Sequence, residues 1–98
     1  MEVRFLELAQ LELDEIYEYY EYQQLNLGLR FVSEVEKSIE LITYYPLGWH
    51  PLSENTRRCL VKNFPYGVVY QIKEDYILIV AIVNLHRKPN YWIDRILN

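Results

Sequence analysis

Cysteine is nearly missing from this chain. Cys59 stands alone among 98 residues, so no intramolecular disulfide can form, and with no second Cys and no nearby His it belongs to no metal-ligand quartet. A reducing, cytoplasmic setting is the expectation. Glycine and proline are also scarce, three and four residues, and no Pro/Gly-rich linker, low-complexity tract or internal repeat divides the sequence. The longest apolar run, Tyr76 to Val83, falls far short of the roughly 20 residues that span a bilayer, and Met1-Glu2-Val3-Arg4-Phe5 has no apolar signal core. There is no Gly-rich phosphate loop, no Ser-His-Asp order and no spaced Cys/His set, so nucleotide hydrolysis, serine-type acyl transfer and structural zinc lack their residues; no metal or other cofactor is implied. What is present is a hydrophobic fraction of 51%, enough for one continuous core, and residues 1–98 read as a single domain.

Basic residues are outnumbered, ten against fourteen Asp and Glu. They are also segregated. Residues 1–45 hold ten carboxylates and three basic side chains, a charge of −7, whereas residues 46–98 hold four and seven, a charge of +3. Such a dipole gives one face the means to meet an anion, while the acidic Glu12, Asp14, Glu15, Glu18 and Glu21 read as a solvated helix surface.

Hydrophobic spacing orders the chain as strand, two helices, three strands and a short helix. Val3 and Phe5 alternate with polar neighbours as a half-buried strand does. From Glu7 to about Gln24, Ala9, Leu13, Ile16, Tyr17 and Tyr20 recur at helical steps. After a break at Asn26 to Gly28, a second helix from about Leu27 to Tyr44 aligns Phe31, Val32, Val35, Ile39 and Ile42, and Pro46 closes it. So short a connection predicts an antiparallel helix hairpin. Pro46 to Thr56 reads as an irregular loop in which His50 has an ordinary packing role. Then Arg57 to Phe64, Gly67 to Lys73 and Tyr76 to about Leu85 form an antiparallel meander, with a tight turn at Lys73-Glu74-Asp75-Tyr76. The class is α+β. Strict alternation puts Ile77, Ile79, Ala81 and Val83 on one face of the last strand and Leu78, Val80 and Ile82 on the other, and the helix hairpin can cover only one of these. The second is either closed by a small core of its own or kept for a partner.

The Tyr-rich helix Tyr17-Glu18-Tyr19-Tyr20-Glu21, the opening Leu27-Gly28-Leu29-Arg30-Phe31, the strand pair Arg57 to Lys62 and Phe64 to Tyr70, and the exit His86-Arg87-Lys88-Pro89-Asn90-Tyr91-Trp92 resemble, in order and spacing, the RelE/ParE superfamily of toxins from type II toxin–antitoxin systems, including those labelled plasmid-stabilisation proteins. The resemblance covers essentially the whole chain. It implies inhibition of bacterial growth and a small antitoxin protein as partner, whose disordered segment folds along the toxin; the two-sided last strand, with the rim of Arg57, Arg58 and Arg87, is the surface expected to receive it.

Two biochemistries share this fold: RelE-like members cut mRNA on the ribosome, and ParE-like members bind DNA gyrase and turn it into a source of DNA breaks. Metal-independent cleavage through a 2′-hydroxyl needs a base, cations for the phosphorane and an acid. In the ribonucleases a catalytic Arg stands just before the hydrophobic-hydrophobic-Tyr end of the middle strand. Here that position, ahead of Val68-Val69-Tyr70, is Gly67. His86 is the remaining candidate base, with Arg57, Arg58 and Arg87 as substitute cations; its competing reading is a polar residue at a strand exit. The acidic balance also runs against docking on rRNA. The residues thus lean toward a gyrase poison in which Arg87, Lys88, Tyr91 and Trp92 contact the target, although Tyr91, Trp92, Ile93 and Ile96 equally fit the apolar face of a short final helix. The alternatives are the ribosome-dependent endoribonuclease and a detoxified scaffold that only binds antitoxin.

Overall fold

The computed structural model describes residues 1–96. Strand β1 (Glu2–Phe5) leads into helices α1 (Glu7–Gln23) and α2 (Leu27–Tyr44), followed by β2 (His50–Ser53), β3 (Thr56–Leu60), β4 (Tyr66–Ile72) and β5 (Tyr76–Asn84), and a single 3-10 turn at Ile93–Arg95. The strands form one sheet in the order β1-β5-β4-β3-β2. The expected meander is therefore present, but it is widened on both sides. β2 adds antiparallel to β3, and β1 adds to β5 in parallel, Val3 opposite Ile77 and Phe5 opposite Ile79. β2 escapes a pattern-based reading because it is four residues long and contains Pro51, a residue tolerated in strands only at an edge. His50, expected to pack, is instead exposed there. β3 stops at Leu60, and Val61 to Pro65 make the connection, with Asn63 at φ 69°. The expected short final helix is only the 3-10 turn.

The helix hairpin closes tightly because Gly28 has no Cβ. A methyl there would lie 2.6 Å from Cγ of Glu21 and closer still to the carbonyl oxygen of Tyr17. Glu21 is no solvated acid: its carboxylate accepts the backbone N–H groups of Asn26 and Leu29, each at 3.2 Å. It thereby satisfies donors that the start of α2 leaves open. Between helices and sheet, Ala9, Phe31, Val35, Ile42, Val68, Tyr70, Ile77 and Ile79 are fully buried. Tyr20, Phe31, Phe64 and Tyr66 meet edge to face or tilted at its centre, with ring centroids 5.1–6.3 Å apart, a geometry that stabilises beyond the area buried.

The second face of the sheet has its own core. Val69, Val80, Ala81, Val83 and Trp92 are buried together, flanked by Leu6, Leu52, Leu78, Tyr91, Ile93 and Ile96. The apolar face of β5 that alternation left open is thus covered by the chain's own end. Strict alternation also fails midway. Val69 pairs with Ala81 and Tyr70 with Ile79, leaving Val80 as an extra residue. This bulge puts Val80 and Ala81 on the same face, so Ile82 joins Ile77 and Ile79 under the helices, while Ala81 and Val83 join Leu78 on the other side. One inserted residue exchanges the faces of everything after it.

Candidate functional site

β5 outruns its neighbour β1, and the unpaired stretch is where the C-terminal segment attaches. Ile82 N–H donates to Oε1 of Glu12 at 3.1 Å, and the Val80 carbonyl accepts from Arg95 at 3.1 Å. Arg95 also forks onto Glu12, at 2.8 and 2.9 Å, and the Tyr91 hydroxyl donates to the same carboxylate at 2.6 Å. Glu12 was expected to be one of several solvated acids; it is the joint between α1, β5 and the chain end. The pattern of α1 carries no signal for this, since the partners lie about eighty residues away. Burial and the Glu12 bond raise the Tyr91 hydroxyl well above the usual phenol range, and the Glu12 bond keeps Arg95 above its ordinary value. Tyr91 therefore stays a donor.

Beyond the end of β5, His86, Arg87 and Lys88 are exposed. Their loop is set by Asn84, whose Oδ1 accepts the His86 N–H at 2.9 Å, and by Asn90, in the left-handed region at φ 64°. The Arg87 guanidinium lies 3.7 Å from the centroid of the Tyr91 ring. A cleft of about 210 Å³ opens here, lined by Arg58, Arg87 and Lys88, with Asn84 and Tyr91 on its walls and Trp92 among its lining residues. Gly67 is what lets Arg58 lie along the sheet: a Cβ at 67 would come within 2.9 Å of Cγ and Cδ of Arg58.

The sequence candidates divide among three places. Arg58 and Arg87 share this cleft with Lys88 and Tyr91. His86 lines an adjoining cleft of about 400 Å³ beside α1, with Glu12, Glu15 and Tyr66; Asn84, Arg87 and Tyr91 form the wall between the two, and Arg58 does not reach the second. Arg57, next to Arg58 on a strand and hence pointing to the opposite face, donates to the carbonyls of Trp49 at 2.7 Å and Leu47 at 3.3 Å and holds that loop. His86, Arg57 and Arg58 therefore do not surround one point at which a phosphoryl group could be attacked. Trp92, at 3% exposure, is an anchor of the second core, not a free contact residue. Among the described residues no group of three His, Cys, Asp or Glu side chains is arranged to hold a metal ion, and no helix is long and apolar enough to cross a membrane.

A helix hairpin on one face of a mostly antiparallel sheet is a fold shared with a solved structure described as the chromosomal ParDE TA system from P. aeruginosa. That likeness has a TM-score of 0.69 at 18% identity and covers 87% of this chain and 96% of the other. Residues 3–91 match the ParE toxin of type II toxin–antitoxin systems, parDE. The chain belongs to this family and is the toxin component of such a module. No curated protein matches it.

Proposed function

We propose that this toxin arrests growth by poisoning DNA gyrase, and that Arg87, Lys88 and Tyr91 are the residues that meet the target, standing on the buried Trp92. The observation that carries this reading is at Gly67. The position where the ribonuclease branch keeps its catalytic Arg has no side chain, and the stem of Arg58 fills the space above it. The candidate base, His86, opens onto the adjoining cleft, which it shares with Arg87 but not with Arg58. Loss of one preorganised charge-stabilising donor typically costs a factor of about 10² to 10³ in rate, so RNA cleavage is the weaker reading. Membership of the ParE family points the same way. The partner is an antitoxin. Because the C-terminal segment already covers the second face of β5, the antitoxin is expected on other apolar ground, such as the exposed Leu8, Leu11, Tyr19 and Tyr22 along α1.

Tightly induced expression in bacteria, followed by pulse labelling with thymidine and leucine, tests the mechanism. An early fall in thymidine incorporation with translation intact is the expected result. An early fall in leucine incorporation would restore the ribonuclease reading, and no fall in either would leave a detoxified antitoxin-binding scaffold.

A further inference from the structure

The geometry points to the cleft between Arg58, Arg87 and Lys88 as a phosphate-binding site that takes a backbone phosphodiester of DNA, independently of base sequence. The chain carries fourteen carboxylates, yet none lines this cleft, and three cations do. Among the described residues the ion pairs are Arg4 with Glu2, Lys37 with Glu34 and Arg95 with Glu12. The charged groups of Arg58, Arg87 and Lys88 take part in none of them. Two carboxylates line the adjoining cleft with Arg87: Glu12 already accepts from Ile82, Tyr91 and Arg95, and Glu15 forms no ion pair with Arg87 among the described residues. Three unpaired cations held together in an acidic protein repel one another, and an anion between them relieves that repulsion.

One member of the cluster, Arg87, is also preorganised. Glu12 fixes the Tyr91 hydroxyl, and the Tyr91 ring supports Arg87 at 3.7 Å, as a cation over an aromatic face. Two guanidinium forks and an ammonium suit the non-bridging oxygens of a phosphodiester, which project tetrahedrally and accept from several directions, and repeated phosphates along a backbone can engage all three cations at once. Stacking on unpaired bases is a poorer fit, since it needs free aromatic faces, and here one face of Tyr91 carries Arg87 while Trp92 is buried; duplexes of unrelated sequence should therefore bind alike, and a strong sequence preference would mean that the arginines read base edges instead. The DNA in question is the segment gyrase holds, so the inference rests on the reading of the toxin as a gyrase poison.

The test is fluorescence anisotropy of the purified toxin with a short labelled DNA duplex at low and at physiological salt, with polyglutamate of matching length as competitor. Arg58→Gln, Arg87→Gln and Lys88→Gln are each expected to weaken duplex binding about 10-fold and to flatten its salt dependence. Lys37→Gln, on α2, should leave both unchanged. Binding that is indifferent to all three substitutions overturns the site, and so does polyglutamate competing as well as DNA, which would make the ligand an acidic protein surface. Gyrase cleavage-complex formation, measured alongside, separates the two claims. A toxin that still traps gyrase fully with all three cations replaced keeps gyrase as the target but removes Arg87 and Lys88 from its contacts, and sinks the phosphate site as part of the trapped complex; one that binds duplex through these cations but never traps gyrase keeps the site and sinks the gyrase reading.

Discussion

Asparagine does in this chain what glycine does in most. Among the described residues the non-glycine ones with positive φ are Asn26, Asn63 and Asn90, and no glycine has positive φ. A short polar side chain tolerates the left-handed region, which leaves Gly28 and Gly67 for close approach. The tyrosines show how single residues answer to burial. Burial lifts the hydroxyls of Tyr20 and Tyr70 from 10.0 to about 12, and Tyr91 rises as well; Tyr70 also donates to the Pro46 carbonyl at 2.5 Å. Because the folded values lie above the unfolded one, their contribution to stability is intact below about pH 10 and is lost as the pH climbs through about 12. Alkaline titration followed by tyrosinate absorbance and circular dichroism should therefore show some of the ten tyrosines ionising only as the fold is lost. Ten tyrosines titrating together at the ordinary value, with native dichroism retained, would contradict this.

Among the elements, the helix hairpin is the most sensitive to a small change. Gly28→Ala drives a methyl into Tyr17 and Glu21 and is expected to cost about 1–3 kcal/mol in urea unfolding, the usual range for overpacking. Gly67→Ala meets only the stem of Arg58, which can swing aside, so it should cost clearly less; equal losses at the two sites would show that the hairpin contact is not the constraint. Both helices were legible in the sequence because seventeen and eighteen residues give a 3.6-residue period time to repeat. The sheet was legible only in its middle. β1 and β2 have four residues each, too few to reveal a partner, and nothing local encodes the parallel pairing of β1 with β5. The bulge at Val80 erases the alternation that should have assigned the faces of β5. At the candidate site, the cations at 58, 87 and 88 stood out as residue types, but the separation of Arg57 and His86 from Arg58 depends on strand register and loop course, which a linear pattern does not carry.

For the molecule as a whole, the charge segregation read from the sequence becomes an acidic helix layer and a cationic sheet rim, with Glu12 as the one acid of the first helix that reaches across to the chain end. The side chains of Glu12 and Arg95 are each 15% exposed. Glu12→Ala leaves Arg95, Tyr91 and the Ile82 N–H without their acceptor and should lower stability by about 3 kcal/mol, in the range for breaking a buried ion pair. Thermal unfolding measures this, together with binding of a hydrophobic dye, since release of the C-terminal segment uncovers Trp92 and Val83. A loss below about 1 kcal/mol would mean the network behaves as an ordinary surface pair.

The position of β5 in the sheet has a consequence for how the toxin comes into being. This strand pairs with β1 on one side and β4 on the other, and Glu12 joins it to residue 95 by accepting from both Ile82 and Arg95. A chain whose residues 76–84 have not yet been made lacks the strand on which its own first residues must lie, so β1 finds its place only late in folding. The loop of Arg87 and Lys88 leaves the end of that same strand, so the cationic rim takes shape together with the sheet and not before it.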